Sequence, residues 1–210
     1  MRKIILAFVV FALAFSCTNY NKIKTQLEEL KKDNPYDLTA DNAVKIAIFY
    51  NRKYNEKKEH IEEGLKFIEE TRKLYPDNNK LLLLHGNLYT IYGGTFARKL
   101  DFVTTLKYLD LGCSMIDTAV DKDPDNYDLL LWRGMDSVIM PKQAGRIQVG
   151  LEDFANLYAR EDLPEDTRVF VLYYYVMGLN KDGQKDEAKK YEKELKEKYP
   201  NYKEIIKKLY

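Results

Sequence analysis

The feature that most constrains the fold is a punctuation mark that recurs four times: Leu74-Tyr75-Pro76-Asp77-Asn78, Asp123-Pro124-Asp125-Asn126, Leu163-Pro164-Glu165-Asp166 and Lys198-Tyr199-Pro200-Asn201. Proline cannot continue a helix, and an Asn or Asp beside it caps the next one, so each motif reads as the end of one helix and the start of another. The prolines lie 48, 40 and 36 residues apart, room for two helices and a connection in each interval. Twelve residues before three of them sit Gly64, Gly112 and Ala188, and nine before them sit Phe67, Met115 and Tyr191. Small residues at that register let two helices cross closely. The chain therefore reads as all-α, built from antiparallel helix pairs.

Helices are expected at 21–33, 41–54, 57–75, 79–93, 100–122, 127–139, 145–160, 166–181, 185–198 and 202–209. Ile61, Leu65 and Ile68 on one helix, and Leu106, Leu109, Cys113, Ile116 and Val120 on another, keep the spacing of a core face. The apolar run Val169 to Leu179 suits a helix sandwiched between neighbours, and Ile205, Ile206 and Leu209 suit a cap on an open end. Gly93-Gly94 reads as a helix stop. The segments Tyr92 to Asp101 and Met140 to Gly150 exceed what a minimal helix pair needs and are expected as loops on one side, forming a lip.

The last unit, Gly183-Gln184-Lys185-Asp186-Glu187-Ala188-Lys189-Lys190-Tyr191 leading to Leu195 and Pro200, resembles a tetratricopeptide repeat. Gly86-Asn87-Leu88-Tyr89 and Ala119 keep the same family's spacing in the second unit. The first and third units depart from it, with Thr71 where a small residue belongs and Gly150-Leu151 fourteen residues before Pro164. The resemblance implies a solenoid of about four degenerate repeats plus a capping helix over residues 39–210. It also implies a concave face lined by Asn87, Thr90, Met135, Tyr173 and Met177. Trp132 and Arg133, an aromatic beside a fixed cation, and Arg98 in the longer segment join them as candidate contacts for a ligand or partner. The structural alternatives are that Trp132 is core and that Arg133 pairs with an Asp between repeats.

Residues 1–16 run Met-Arg-Lys, an apolar stretch from Ile4 to Phe15, then Ser16, the pattern of a signal peptide. Twelve apolar residues span roughly 18 Å as a helix, too short for a bilayer core of about 30 Å. Leu13-Ala14-Phe15-Ser16-Cys17 resembles a bacterial lipobox, which implies acylation of Cys17 and a tether and first helix over 17–38. The alternative is an ordinary signal peptide cut nearby, with Cys17 a spare thiol. Thr18 stands where an Asp would retain a lipoprotein in the inner membrane, which points to outer-membrane sorting. Without residues 1–16 the chain has 32 basic and 33 acidic residues, a net charge of −1. A charge so near zero argues against a duplex nucleic-acid binder, which needs a surplus of Lys and Arg to neutralise phosphates.

Chemistry-bearing motifs are few. His60 lies in a charged stretch and reads as a solvated helix residue, while His85 follows Leu81 to Leu84 and reads as packed. Asp121, Asp123 and Asp125 alternate like a calcium loop, but Asn126 replaces the turn glycine and Trp132 the bidentate glutamate. The Asp-Pro-Asp-Asn turn reads instead as a cap. No nucleophile elbow, zincin motif or phosphate loop is present. The expectation is a membrane-tethered, non-catalytic envelope lipoprotein with no cofactor or metal, facing the periplasm or the cell surface and binding an envelope protein, a peptide or a small ligand. Leu81 to Phe96 resembles the corresponding helix of the tetratricopeptide lipoproteins associated with tripartite (TRAP-type) periplasmic transporters. That likeness implies a periplasmic solute-binding protein as partner and a trimer as alternative to a monomer. An envelope hydrolase built on groove carboxylates, or a purely structural spacer, are the competing classes.

Overall fold

The computed structural model describes residues 38–204 apart from 53, 54 and 56, together with positions 25, 28 and 29. The expected leader at 1–16, Cys17, most of the helix expected at 21–33, and Ile205, Ile206 and Leu209 of the expected cap lie outside the described residues. Among the described residues the structure is helical, with no strand. The helices are α1 (Ala40–Arg52), α2 (Lys58–Leu74), α3 (Asn79–Ala97), α4 (Phe102–Lys122), α5 (Tyr127–Ile139), α6 (Ile147–Tyr158), α7 (Glu165–Asp182) and α8 (Lys185–Lys198), with a single 3-10 turn at Lys142–Ala144. They fall into two compact units, divided between Lys122 and Asp123 at the second proline motif.

In the first unit α3 packs on α1, α2 and most extensively on α4. Contact on several sides explains its composition: every residue from Leu81 to Leu88 is buried, as a helix surrounded by other helices requires. Its start is set by Asn78, whose Oδ1 accepts from Leu81 N at 3.0 Å. The α3–α4 crossing brings backbone against backbone. A Cβ on Gly86 would stand 2.5 Å from the Gly112 carbonyl oxygen, and one on Gly112 would stand 2.5 Å from that of Gly86. Gly64, on α2, likewise faces Tyr50 and Leu88 with no room for a side chain.

The second unit pairs α5 with α6 and α7 with α8, and α7 also touches α5 and α6. Asn126 Oδ1 accepts from Asp128 N and Leu129 N, so the Asp-Pro-Asp-Asn turn is a helix cap. Val169 and Leu172 of α7 meet Leu195 of α8 in a small core that Tyr158, Tyr173, Tyr191, Tyr199 and Tyr202 flank. At the end of α5, the Lys181 ammonium of α7 donates to the carbonyls of Val138 (2.7 Å), Ile139 (3.1 Å) and Met140. A cation on the carbonyl end of a helix meets both its unpaired acceptors and its dipole.

Four expectations are corrected. Gly93-Gly94 does not stop α3, which runs to Ala97; Gly93 instead lets α4 approach, since a Cβ there would lie 3.1 Å from the Thr105 carbonyl oxygen. The segment 92–101 is therefore mostly helix, leaving a turn of 98–101 rather than a loop. His60 is buried, because the inward stripe of α2 runs His60, Ile61, Gly64, Ile68, Thr71 and takes the histidine with it. Leu106 is exposed, because the inward stripe of α4 passes through Thr105, Gly112, Ile116 and Ala119, one position away.

Candidate binding surface

Along α3 a stripe of rings at helical spacing, His85, Tyr89, Tyr92 and Phe96, meets Tyr108 from α4. His85 stacks on Tyr89 with centroids 4.8 Å apart, and Tyr89 stacks on Tyr108 at 5.8 Å. Phe96 stacks on Tyr108 at 5.6 Å, while Tyr92 meets Phe96 and Tyr108 edge to face at 5.1 and 4.9 Å. Offset and edge-to-face contacts of this kind hold rings in fixed orientation. Tyr89, Phe96 and Tyr108 are only half-buried, so one side of the seam faces outward.

Charged groups border it. The Lys58 ammonium lies 5.6 Å from the Tyr92 ring centroid and 5.4 Å from that of Phe96. Glu62 accepts from the Tyr92 hydroxyl at 2.8 Å and pairs with Lys58 at 3.3 Å. The Tyr92 hydrogen bond is the main reason the Glu62 carboxyl sits below its ordinary range, and the Glu62 contact in turn raises Lys58. At the other end Arg72 Nη1 lies 3.2 Å from His85 Nδ1. Burial first, and the neighbouring guanidinium second, push His85 down to about 4, so its ring is neutral at physiological pH. With Arg72 donating to Nδ1, the imidazole proton belongs on Nε2, which has no partner among the described residues.

Of the residues read from the sequence as contacts, Asn87, Thr90 and Arg98 belong to the first unit and the rest to the second. Asn87, Trp132 and Met135 are buried, and for Trp132 this is the core alternative. Thr90 is half-buried, with its hydroxyl donating to the Asn87 carbonyl at 2.7 Å and its methyl against Gly112, so it belongs to the α3–α4 crossing. The Arg133 guanidinium grips Asp153 of α6 through Nε to Oδ2 at 2.9 Å and Nη2 to Oδ1 at 2.7 Å. Asp153 is 1% exposed, which makes this a buried bidentate ion pair tying α5 to α6. Tyr173 and Met177 are half-buried on α7, Tyr173 edge to face with Tyr174 at 5.1 Å. Arg98 is exposed at the end of α3.

Sequence reasoning placed His85 in the core but missed the seam around it. The signal was present in the spacing of residues 85, 89, 92 and 96, which keeps one helix face. Tyr108 was not legible as its partner, because that contact depends on the rotation of α4. Among the described residues, no group of three or more His, Cys, Asp or Glu side chains comes together as metal ligands would. Compared with family models, curated proteins and solved structures, the chain matches none.

Proposed function

We propose that the protein is a membrane-tethered, non-catalytic envelope lipoprotein that captures a protein or peptide partner on preorganised helical surface. The observation that carries this reading is the outward-facing aromatic seam of α3 and α4. Its rings are already immobilised by one another, so a partner that covers them loses little further side-chain freedom to binding. Aromatic anchors beside a fixed cation are also the side chains that dominate binding energy at interfaces. The finer architecture, a tetratricopeptide-like stack of hairpins, is supported by the way α1 touches α3 and α5 touches α7, each first helix against the next within its unit. Tethering through Cys17 rests on the lipobox-like sequence alone.

Capture from detergent-solubilised envelope by the full chain tests the reading. A prey retained by the wild type and lost with Phe96→Ser or Tyr89→Ser supports it, while identical prey lists for all three chains refute it. The tether is tested separately: Cys17→Ser is expected to move the protein from the membrane to the soluble fraction with its helical signal intact. The accessory role in a periplasmic transport system is the second reading, favoured by the fact that four of the five seam rings lie within Leu81 to Phe96, the stretch that carries that resemblance. A solute-binding protein as the seam-dependent prey selects it.

A further inference from the structure

The corner between α3 and α4 combines three features that the fold does not require. First, it presents a cluster of large apolar side chains to solvent: Leu100 is 57% exposed, Phe102 51%, Val103 82% and Leu106 62%. Phe102, Val103 and Leu106 share one face at the start of α4, with Leu100 one turn before them. Second, Leu100 has a φ of 63°, the left-handed region in which a side chain is strained and glycine is favoured. The turn closes with Leu100 N donating to Ala97 O at 3.0 Å and Asp101 N to Phe96 O at 3.1 Å, bonds that a glycine would make equally well. The chain thus keeps a strained leucine where its side chain is more than half in water. Third, the cluster is ringed by Arg98, Lys99 and Lys107, all exposed. Asp101 is the only acid from 98 to 107, and it caps α4 by accepting from Thr104 N at 3.1 Å; the Thr104 side-chain hydrogen bond first, and this backbone bond second, hold its carboxyl below the usual range.

We propose that this corner is a membrane-contact surface that inserts Leu100, Phe102, Val103 and Leu106 into the headgroup boundary of a bilayer bearing anionic phospholipid. Exposed apolar side chains flanked by three cations, Arg98, Lys99 and Lys107, against two acids, Asp101 and Asp110, match the chemistry of such an interface. Apolar burial supplies depth, and the three cations supply selectivity for negative headgroups. The contact needs no acyl group, so it stands or falls apart from the tether; it adjoins the aromatic seam through Lys107, whose ammonium lies 5.8 Å from the Tyr108 ring centroid. It places a second attachment on the first unit and so restricts how that unit is held against the membrane.

The test uses the full chain in phosphatidylglycerol–phosphatidylethanolamine vesicles that carry a photoactivatable phospholipid, with labelled peptides located by mass spectrometry. Labelling is expected to concentrate in 98–107 over the exposed helix 185–198. It should fall at least about tenfold for the Arg98→Glu/Lys99→Glu/Lys107→Glu chain, each cation near an anionic surface being worth about fivefold in partitioning. Leu100→Gly guards against misreading an unfolded variant, because it relieves the turn: its unfolding midpoint is expected to hold or rise while labelling drops. Labelling of 98–107 no stronger than that of 185–198, or equal labelling in purely zwitterionic vesicles, overturns the proposal. So does a Leu100→Gly chain that unfolds earlier than the wild type.

Discussion

The α3–α4 crossing makes a quantitative prediction in which two effects of one substitution oppose each other. Replacing a glycine in a helix by alanine ordinarily stabilises the helix by about 1 kcal/mol, since alanine loses less backbone entropy on folding. At Gly112 the new Cβ would lie 2.5 Å from the Gly86 carbonyl oxygen and 2.6 Å from Thr90 Cγ2, against an ordinary contact of 3.4 Å or more. Thr90 has a rotamer to change, but the carbonyl belongs to the buried centre of α3, so the helices must part by most of an ångström. Overpacking of that kind costs about 1–3 kcal/mol, and here it also loosens the most extensive helix pair of the first unit. Gly112→Ala is therefore expected to destabilise by roughly 0–2 kcal/mol net of the helix gain. Gly94→Ala is the matched control: it lies inside α3 with nothing within 4 Å of its Cβ, so the helix gain stands alone at about 0.5–1 kcal/mol. Urea unfolding followed by far-ultraviolet circular dichroism reads both. If Gly112→Ala proves as stable as Gly94→Ala, the backbone-to-backbone crossing is not how these helices pack.

Three further outcomes follow from buried polar groups. The folded-state pKa of His85, about 4, lies below its unfolded value of 6.5, so the unfolded chain binds the proton first as pH falls. Stability is fully present above pH 6.5 and is lost between there and about 4, by roughly 3 kcal/mol from this group; urea midpoints across that range should flatten in His85→Gln, and an unchanged slope would contradict the assignment. Asp153→Ala removes the carboxylate that holds both Nε and Nη2 of the partly buried Arg133 guanidinium and is expected to cost about 3–5 kcal/mol, while the double change Arg133→Met/Asp153→Leu recovers most of it; thermal melts of the three chains decide. Lys181→Met removes the ammonium from three carbonyls at the end of α5 and is expected to cost about 2–3 kcal/mol, read as a lower melting temperature. A Lys181→Met chain as stable as the wild type would mean that water satisfies those carbonyls.

The proline motifs made the helix spans legible because the caps are local chemistry. Asn78 and Asn126 bond to backbone within three residues, and the expected spans of α5 and α8, 127–139 and 185–198, are the observed ones. The small residues were legible for the same reason: Gly64 and Gly112 sit where a helix crosses another closely. What escaped was everything set by how far a helix is rotated about its axis. One position of rotation of α4 separates Thr105 from Leu106, and it turned an expected core leucine into an exposed one; on α2 the orientation of the helix buries His60 with Ile61. Gly93 was read through its helix propensity, but its role is to admit α4, and tertiary contact overrode the local preference. The candidate site was legible only in part. Arg133 stood out as a cation beside an aromatic, yet its partner Asp153 lies 20 residues away on another helix, and only the packed pair reveals how its donors are used.

The most direct test of the central claim, that the α3–α4 seam is where a partner binds, is site-specific photocrosslinking in intact cells. A benzophenone amino acid at position 96 on the seam is compared with the same group at position 193, an exposed site on α8. The account predicts a discrete higher-mass adduct from position 96 and none from position 193. No adduct at 96, or the same adducts from both positions, would contradict it.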